Sequence, residues 1–244
     1  RSSDLLGTRK GTFPLWDAGT ALFVADAEVA VAGAWNGWST TATRTSALCG
    51  GALYTATAPV ASGFHPYKLV AGTTWLLDGW SWAFVHDDFA GNLDGKNSVL
   101  NTHDSGRGHL VAVPDRVCST TLGNCRTMTA YLPPGYAAPA NALRRYPVVF
   151  MHDGQNVFDD HDCCFGHTGW EVNVALDAEI AAGRVEATVI VAVDHAGAGR
   201  NAEYGWSESV GGKQESFMAF QLGTVQPLAA THWRLDAART YVAG

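Results

Sequence analysis

No apolar stretch in this chain approaches the roughly 18 to 20 residues that a membrane-crossing helix requires, and one of the longest, Ala187 to Val193, is strand-sized and bounded by polar residues. A membrane partner is therefore not expected. Positive charge is also scarce: 16 Lys and Arg stand against 23 Asp and Glu, a net charge of −7, with no basic cluster. Nothing in that balance attracts a polyphosphate backbone, so nucleic acid is not an expected partner either. The five cysteines (Cys49, Cys118, Cys125, Cys163, Cys164) do not fall into the spaced ligand pairs of structural zinc sites. No cofactor or metal is expected.

Two dense polar segments call for a closer reading. Asp159, Asp160, His161, Asp162, Cys163, Cys164 and His167 include many zinc-ligating types, but adjacent ligands read as a polar loop with a structural or vicinal disulfide rather than a metal site. Asp87-Asp88 and Asn92 to Asn97 hint at calcium without the twelve-residue loop and its terminal Glu, so a turn cluster suffices. Cys118 and Cys125 flank the turn signal Gly123-Asn124, which makes a disulfide across a hairpin the expectation and points to an oxidising compartment, secreted or periplasmic. Arg1 rather than Met stands first, which suits a processed mature protein.

What the chain has in quantity is apolar residues, 47% of 244, enough to fill one large core or two ordinary ones. The first hundred residues are short apolar runs separated by Gly, Asn, Asp and Ser, the pattern of an all-β sandwich. Strands are expected at Ala21 to Val24, Glu28 to Ala32, Leu53 to Pro59, Pro66 to Val70 and Thr74 to Leu77. Near residues 101–109 the composition turns polar and glycine-bearing, and a domain boundary is placed there, giving domains 1–106 and 107–244.

Beyond it, strands alternate with helices. Arg126 to Leu132, Tyr146 to Met151, Ala187 to Val193 and Thr240 to Ala243 read as strands; Gly169 to Ala182 and Gln214 to Thr231 read as helices, the first ended by Gly183. Pro227 inside the second is expected to kink it or to cost about 3 kcal/mol. Such alternation implies βαβ units and a parallel sheet, whose sites lie at the carboxyl ends of strands. One strand ends abruptly in His152-Asp-Gly-Gln-Asn-Val-Phe-Asp159, where Gly154 lets the backbone turn and expose amide donors. An exposed donor pair is what a tetrahedral acyl-transfer intermediate needs; the plainer reading is a capped strand end with Asp153 bonding its own loop.

Leu132-Pro-Pro-Gly-Tyr136, Tyr146-Pro-Val-Val, His152 to Asp159, Gly169-Trp-Glu-Val-Asn, Arg200-Asn-Ala-Glu-Tyr204 and Arg239-Thr-Tyr-Val-Ala-Gly244 together resemble the putative esterase family, related to enterochelin esterases, feruloyl esterases and esterase D. That resemblance implies an α/β-hydrolase domain, incomplete at its carboxyl end, over roughly residues 107 to 244. It implies that the last strand leads into a nucleophile elbow, Gly-x-Ser-x-Gly, with Gly244 its first glycine and the Ser, Asp and His further on. It further implies that the backbone N–H of Gln155 is one oxyanion donor, with Asp153 and Trp170 near the substrate. Gly205-Trp-Ser207-Glu-Ser209 lacks the second elbow glycine and follows no strand, so Ser207 is read as a loop residue.

In the first domain, Ala32-Gly-Ala-Trp-Asn-Gly-Trp38, His65 to Val70 and Trp75-Leu-Leu-Asp78 resemble the early-set, immunoglobulin-like modules of the glycogen-binding, family 48 carbohydrate-binding type. Trp35, Trp38 and Trp75 are then candidate sugar platforms, with core packing as the prior reading of each. Two functions follow. One is a serine carboxyl-ester hydrolase acting on a small-molecule or glycan-linked ester, feruloyl, acetyl or siderophore, and completed by a missing carboxyl-terminal portion of the same protein. The other is a non-catalytic carbohydrate-binding protein on a degenerate hydrolase fold.

Overall fold

The computed structural model describes residues 12–87, 95–160, 163, 169–207, 209 and 211–244. His161, Asp162, Cys164, His167, Asp88 and Asn92 to Asp94, named above as possible ligands, lie outside them. The chain divides into two compact units, Arg1–His109 and Leu110–Gly244.

The first unit is built from β1 (Thr12–Asp17), β2 (Thr20–Ala25), β3 (Ala30–Gly33), β4 (Ser46–Leu48), β5 (Leu53–Pro59), β6 (Phe64–Ala71), β7 (Thr74–Leu76), β8 (Ala83–His86) and β9 (Lys96–Asn101). One antiparallel sheet has the order β1-β2-β5-β4; the other strands run β8-β9-β6-β3, with β7 on β6. Alternation places Ala21, Phe23 and Ala25 of β2 inward, and these meet Val31, Tyr67, Leu69 and Leu100 of the second sheet in a single core. Buried Asp78 fixes the turn after β7: it accepts the Tyr67 hydroxyl at 2.7 Å and the amides of Trp80 and Ser81 at 3.0 and 3.2 Å.

The second unit continues with β10 (His109–Ala112), β11 (Val117–Ser119), β12 (Asn124–Arg126), β13 (Met128–Leu132) and β14 (Tyr146–Met151). These are followed by α1 (Gly154–Val157), α2 (Val172–Ala181), β15 (Val189–Val193), α3 (Arg200–Tyr204), α4 (Gln214–Phe220), α5 (Gln226–His232) and β16 (Leu235–Ala243). β11 and β12 form a separate hairpin in which Cys118 lies opposite Cys125, and the two are joined by a disulfide. Cys163 is also disulfide-bonded. The main sheet runs β16-β14-β15-β13-β10; β14 is parallel to both β15 and β16, while β13 is antiparallel to β15. The parallel expectation is thus met where helices connect the strands, and the sheet is mixed beyond them. β15, a run of Val, Ile and Ala, is buried at every residue, as a strand covered on both faces must be.

Two helices depart from expectation. The first begins at Val172 rather than Gly169 because the preceding residues are used elsewhere: the Trp170 amide bonds the Asn156 carbonyl at 2.7 Å, and a Cβ on Gly169 would lie 1.6 Å from the Phe158 carbonyl oxygen. It stops at Gly183, at φ 68°, whose amide returns to the Ile180 carbonyl. The second is accommodated at Pro227 by a wide π-turn over Gln221–Val225 between α4 and α5, where backbone angles remain helical throughout. A wider turn relieves the clash that a proline ring otherwise makes with the carbonyl four residues back.

Candidate active site at the strand ends

Met151 of β14 lies opposite Ala192 of β15 on one side and Ala243 of β16 on the other, so three parallel strands finish at one edge. One residue further on, the His152 amide bonds the Ala243 carbonyl at 3.0 Å. A Cβ on Gly244, at φ 152°, would lie 2.7 Å from that of His152, so only a glycine lets the two backbones pass this closely.

The chain then reverses. Asp153 sits at φ 55° and ψ 48°, a left-handed conformation uncommon for a residue with a side chain, and hands directly into α1. Gly154 packs on the neighbouring strand end: a Cβ there would be 2.6 Å from the Val193 carbonyl carbon and 2.7 Å from the Asp194 nitrogen. Gln155 adds a tether, its side-chain oxygen accepting the His195 amide at 3.2 Å. The Asn156 amide closes the turn on the Asp153 carbonyl at 2.7 Å. Gln155 thus stands in the opening turn of α1, where amides point out of the amino end of a helix.

Side chains from α3 hold this turn. Arg200 grips the Asp153 carboxylate with two hydrogen bonds, Nε to Oδ1 at 2.7 Å and a terminal nitrogen to Oδ2 at 2.6 Å. The Tyr204 hydroxyl accepts the Asp153 amide at 3.3 Å, and its ring lies 5.3 Å from the His152 imidazole. Phe217 of α4 meets both rings edge-on at 5.0 and 4.9 Å. Burial opposes the Asp153 charge, but the bonds and charge of Arg200, with the charge of His195 and the Tyr204 hydroxyl, outweigh it and hold its pKa below the usual carboxylate value. Burial lowers the His152 pKa despite the Asp153 charge, and His152 Nε2 is buried without a hydrogen-bond partner. Burial likewise pushes the Tyr204 hydroxyl up to about 12. At neutral pH the edge therefore presents a neutral imidazole beside a carboxylate whose two oxygens are both occupied by Arg200.

The residues anticipated from sequence are distributed as follows. Gln155 stands in the first turn of α1, just past the end of β14, and Gly244 just past the end of the adjacent β16, while Asp153 shapes the turn instead of presenting a free carboxylate. The Trp170 side chain is half exposed next to α1. Ser207 is bound to Ser209, 2.6 Å between hydroxyls, in a loop. Among the described residues no three His, Cys, Asp or Glu side chains converge as metal ligands. Arg200 and Tyr204 belong to a recognised motif, but nothing in the sequence pairs them with Asp153, 47 and 51 positions earlier.

In the first unit the three tryptophans separate. Trp35 packs into the core, stacked on Phe23 at 5.7 Å, and leaves no space for a Cβ on Gly33, which would lie 2.4 Å from its ring. Trp38 and Trp75 face outward with ring centroids 6.4 Å apart, and together with Ala34, Pro66, Lys68, Asp87 and Asn97 they line a groove of about 780 Å³.

Parallel strands joined by helices, with a tight turn and a closely packed glycine at their carboxyl edge, make the second unit an α/β domain with its candidate site at the strand ends. Residues 119–244, just over half of the chain, match the family described as putative esterase. The chain belongs to that family. No curated relative matches it. Among solved structures it is similar to a ferulic acid esterase at 21% identity and a TM-score of 0.40, over 57% of this chain and 49% of that one. It is also similar to an IroE-like serine hydrolase from Shewanella oneidensis, at 19% identity and 0.38, over 52% and 39%. A third is ferric enterobactin esterase from Salmonella typhimurium, at 14% and 0.37, over 96% and 68%. The chain thus spans half or less of the length of the first two.

Proposed function

We propose that the intact protein is a carboxyl-ester hydrolase working through a serine acyl-enzyme. The observation that carries this reading is the juxtaposition of the Asp153 turn with Gly244, in a chain of the esterase family. In this reading Gly244 opens the nucleophile elbow, and the serine it presents attacks the ester carbonyl. The Gln155 amide receives the developing oxyanion, and water releases the acid. One such donor is worth about 3 kcal/mol of barrier. Asp153 serves by fixing the turn, and the half-exposed Trp170 offers an apolar face to the acyl group. Feruloyl or acetyl esters of glycans and catecholate siderophores are the substrates considered, and the disulfide suits a secreted or periplasmic enzyme.

Turnover of nitrophenyl acetate, methyl ferulate and a catecholate siderophore by the product of the full reading frame tests this. Hydrolysis of one of them, lost on replacing a serine that follows Gly244, is the expected result; no turnover of any overturns it.

A second reading, that the first unit is a carbohydrate-binding module of the early-set type, is favoured by the Trp38–Trp75 groove. Two exposed indoles match the apolar faces of sugar rings, and Lys68 and Asn97 offer hydrogen bonds to hydroxyls. In the hydrolase it would bind the glycan that carries the ester. Without the serine, glycan binding would be the protein's whole function.

A further inference from the structure

The Asp153 turn is held by α3, yet α3 is five residues long, too short to be stable alone. Its anchor is Glu203, which lies between the two residues that touch the turn. Glu203 is buried and accepts both carboxylate bonds from one terminal nitrogen of Arg126, at 2.8 and 3.0 Å, and a third from the Asn124 side chain at 2.7 Å. Arg126 and Glu203 side chains are 2% and 3% exposed. Buried pairs of this kind add little stability over apolar packing, so stability alone does not account for it. A second route runs through Phe220 and Phe217: the Arg126 guanidinium lies 5.0 and 5.8 Å from their ring centres, and Phe217 touches His152 and Tyr204. Asn124 and Arg126 flank Cys125 on β12, whose disulfide to Cys118 clamps a two-stranded hairpin that would be marginal by itself.

We propose that Glu203 and Arg126 are positioning residues for the Asp153–Gln155 turn, and that the Cys118–Cys125 disulfide braces them, so that loosening the hairpin loosens the grip of Arg200 and Tyr204 on a turn more than 20 residues away in sequence. The grip itself is a claim about this chain alone; its consequence for ester turnover rests on the function proposed above.

The test is solvent exchange of the Arg200 Nε–H, followed by NMR on the 244-residue chain. In Glu203→Gln this exchange should speed up at least tenfold, the His152, Tyr204 and Phe217 ring signals should shift, and Glu203→Asp should recover part of the loss. Amides of β2, β5 and β6 should not change. Asn124→Ala, which leaves no charge unpaired, and the double variant Cys118→Ser with Cys125→Ser, which spares the Cys163 disulfide, should each speed the exchange two- to fivefold. Exchange unchanged within error in a folded Glu203→Gln overturns the proposal. If that variant does not fold, unchanged exchange in both Asn124→Ala and the Cys118→Ser with Cys125→Ser double variant overturns it. In the full-length protein the same substitutions should lower kcat with little change in KM. A full-length protein with no esterase activity would remove the function proposed above and leave the exchange result standing.

Discussion

In the first unit the buried Asp78 accepts the amides of Trp80 and Ser81, two and three positions away, whereas in the second the buried Glu203 pairs with Arg126, 77 positions away. Asp78 therefore fixes its own turn and ties it to the neighbouring β6 through the Tyr67 hydroxyl. Glu203 and Asp153 instead join elements that the chain brings together only after folding, and both pairings end at one turn. A buried carboxylate bonded to its own loop is the ordinary solution to an exposed amide. One bonded across the fold to a cation is costly to bury and adds little stability over apolar packing.

The comparison can be broken most severely at Arg126. Arg126→Ala strands the Glu203 charge in a dry site and should cost about 3–5 kcal/mol, read as lost amide protection in β13 and β15. Asp78→Ala should cost about 1–3 kcal/mol, read in β6 and β9, a smaller loss because it takes this acceptor from the neutral Tyr67 hydroxyl and two amides but strands no buried charge. A subtler contrast comes from pH. Unfolded His152 takes up a proton near its ordinary pKa of 6.5, while folding lowers that pKa. Stability contributed by the neutral imidazole is thus complete above pH 6.5 and lost as pH falls below it. Asp153, held below its ordinary 3.8, adds a loss in the same direction at more acidic pH. The urea midpoint of the second unit should fall between pH 7.5 and 5.5, and His152→Gln should flatten that slope. Least disruptive is the pair Trp38→Ala and Trp75→Ala, which should alter stability by no more than about 0.5 kcal/mol each yet abolish retention on a glycan affinity gel.

Much of the scaffold is legible in the sequence for a physical reason: β14 is an apolar run that must be buried, β5 ends in alternating buried and exposed residues, and both begin and end where their patterns do. The Gly183 stop and the disulfide across the Gly123-Asn124 turn are local features, resolved by neighbouring residues. Non-local ones are not. The extra strand residues that carry β16 back to Leu235 include charged side chains; Leu235 pairs with Tyr146 of β14, and the register shifts between it and Thr240. Pro227 announces a helix defect, yet nothing in the local pattern announces a π-turn over Gln221–Val225. Half of the candidate site is readable as the Asp153-Gly154-Gln155 turn. The other half, Arg200, Tyr204 and Glu203 acting on that turn, is encoded by distances between residues that have no periodic relation. Trp35 and Trp38 show the same boundary, since three positions separate a core residue from a groove wall and only the turn at Gly37 and Trp38, both at positive φ, decides which is which.

Gly154 touches the backbone of β15 with no space for a single added carbon. Alanine, the mildest replacement available, would have to push apart two stretches of main chain that neighbouring hydrogen bonds fix in place, and every larger side chain would push harder. This position consequently has an alphabet of one letter. A library randomised at codon 154 and sorted for correctly folded protein should return glycine almost alone, however permissive its neighbours prove.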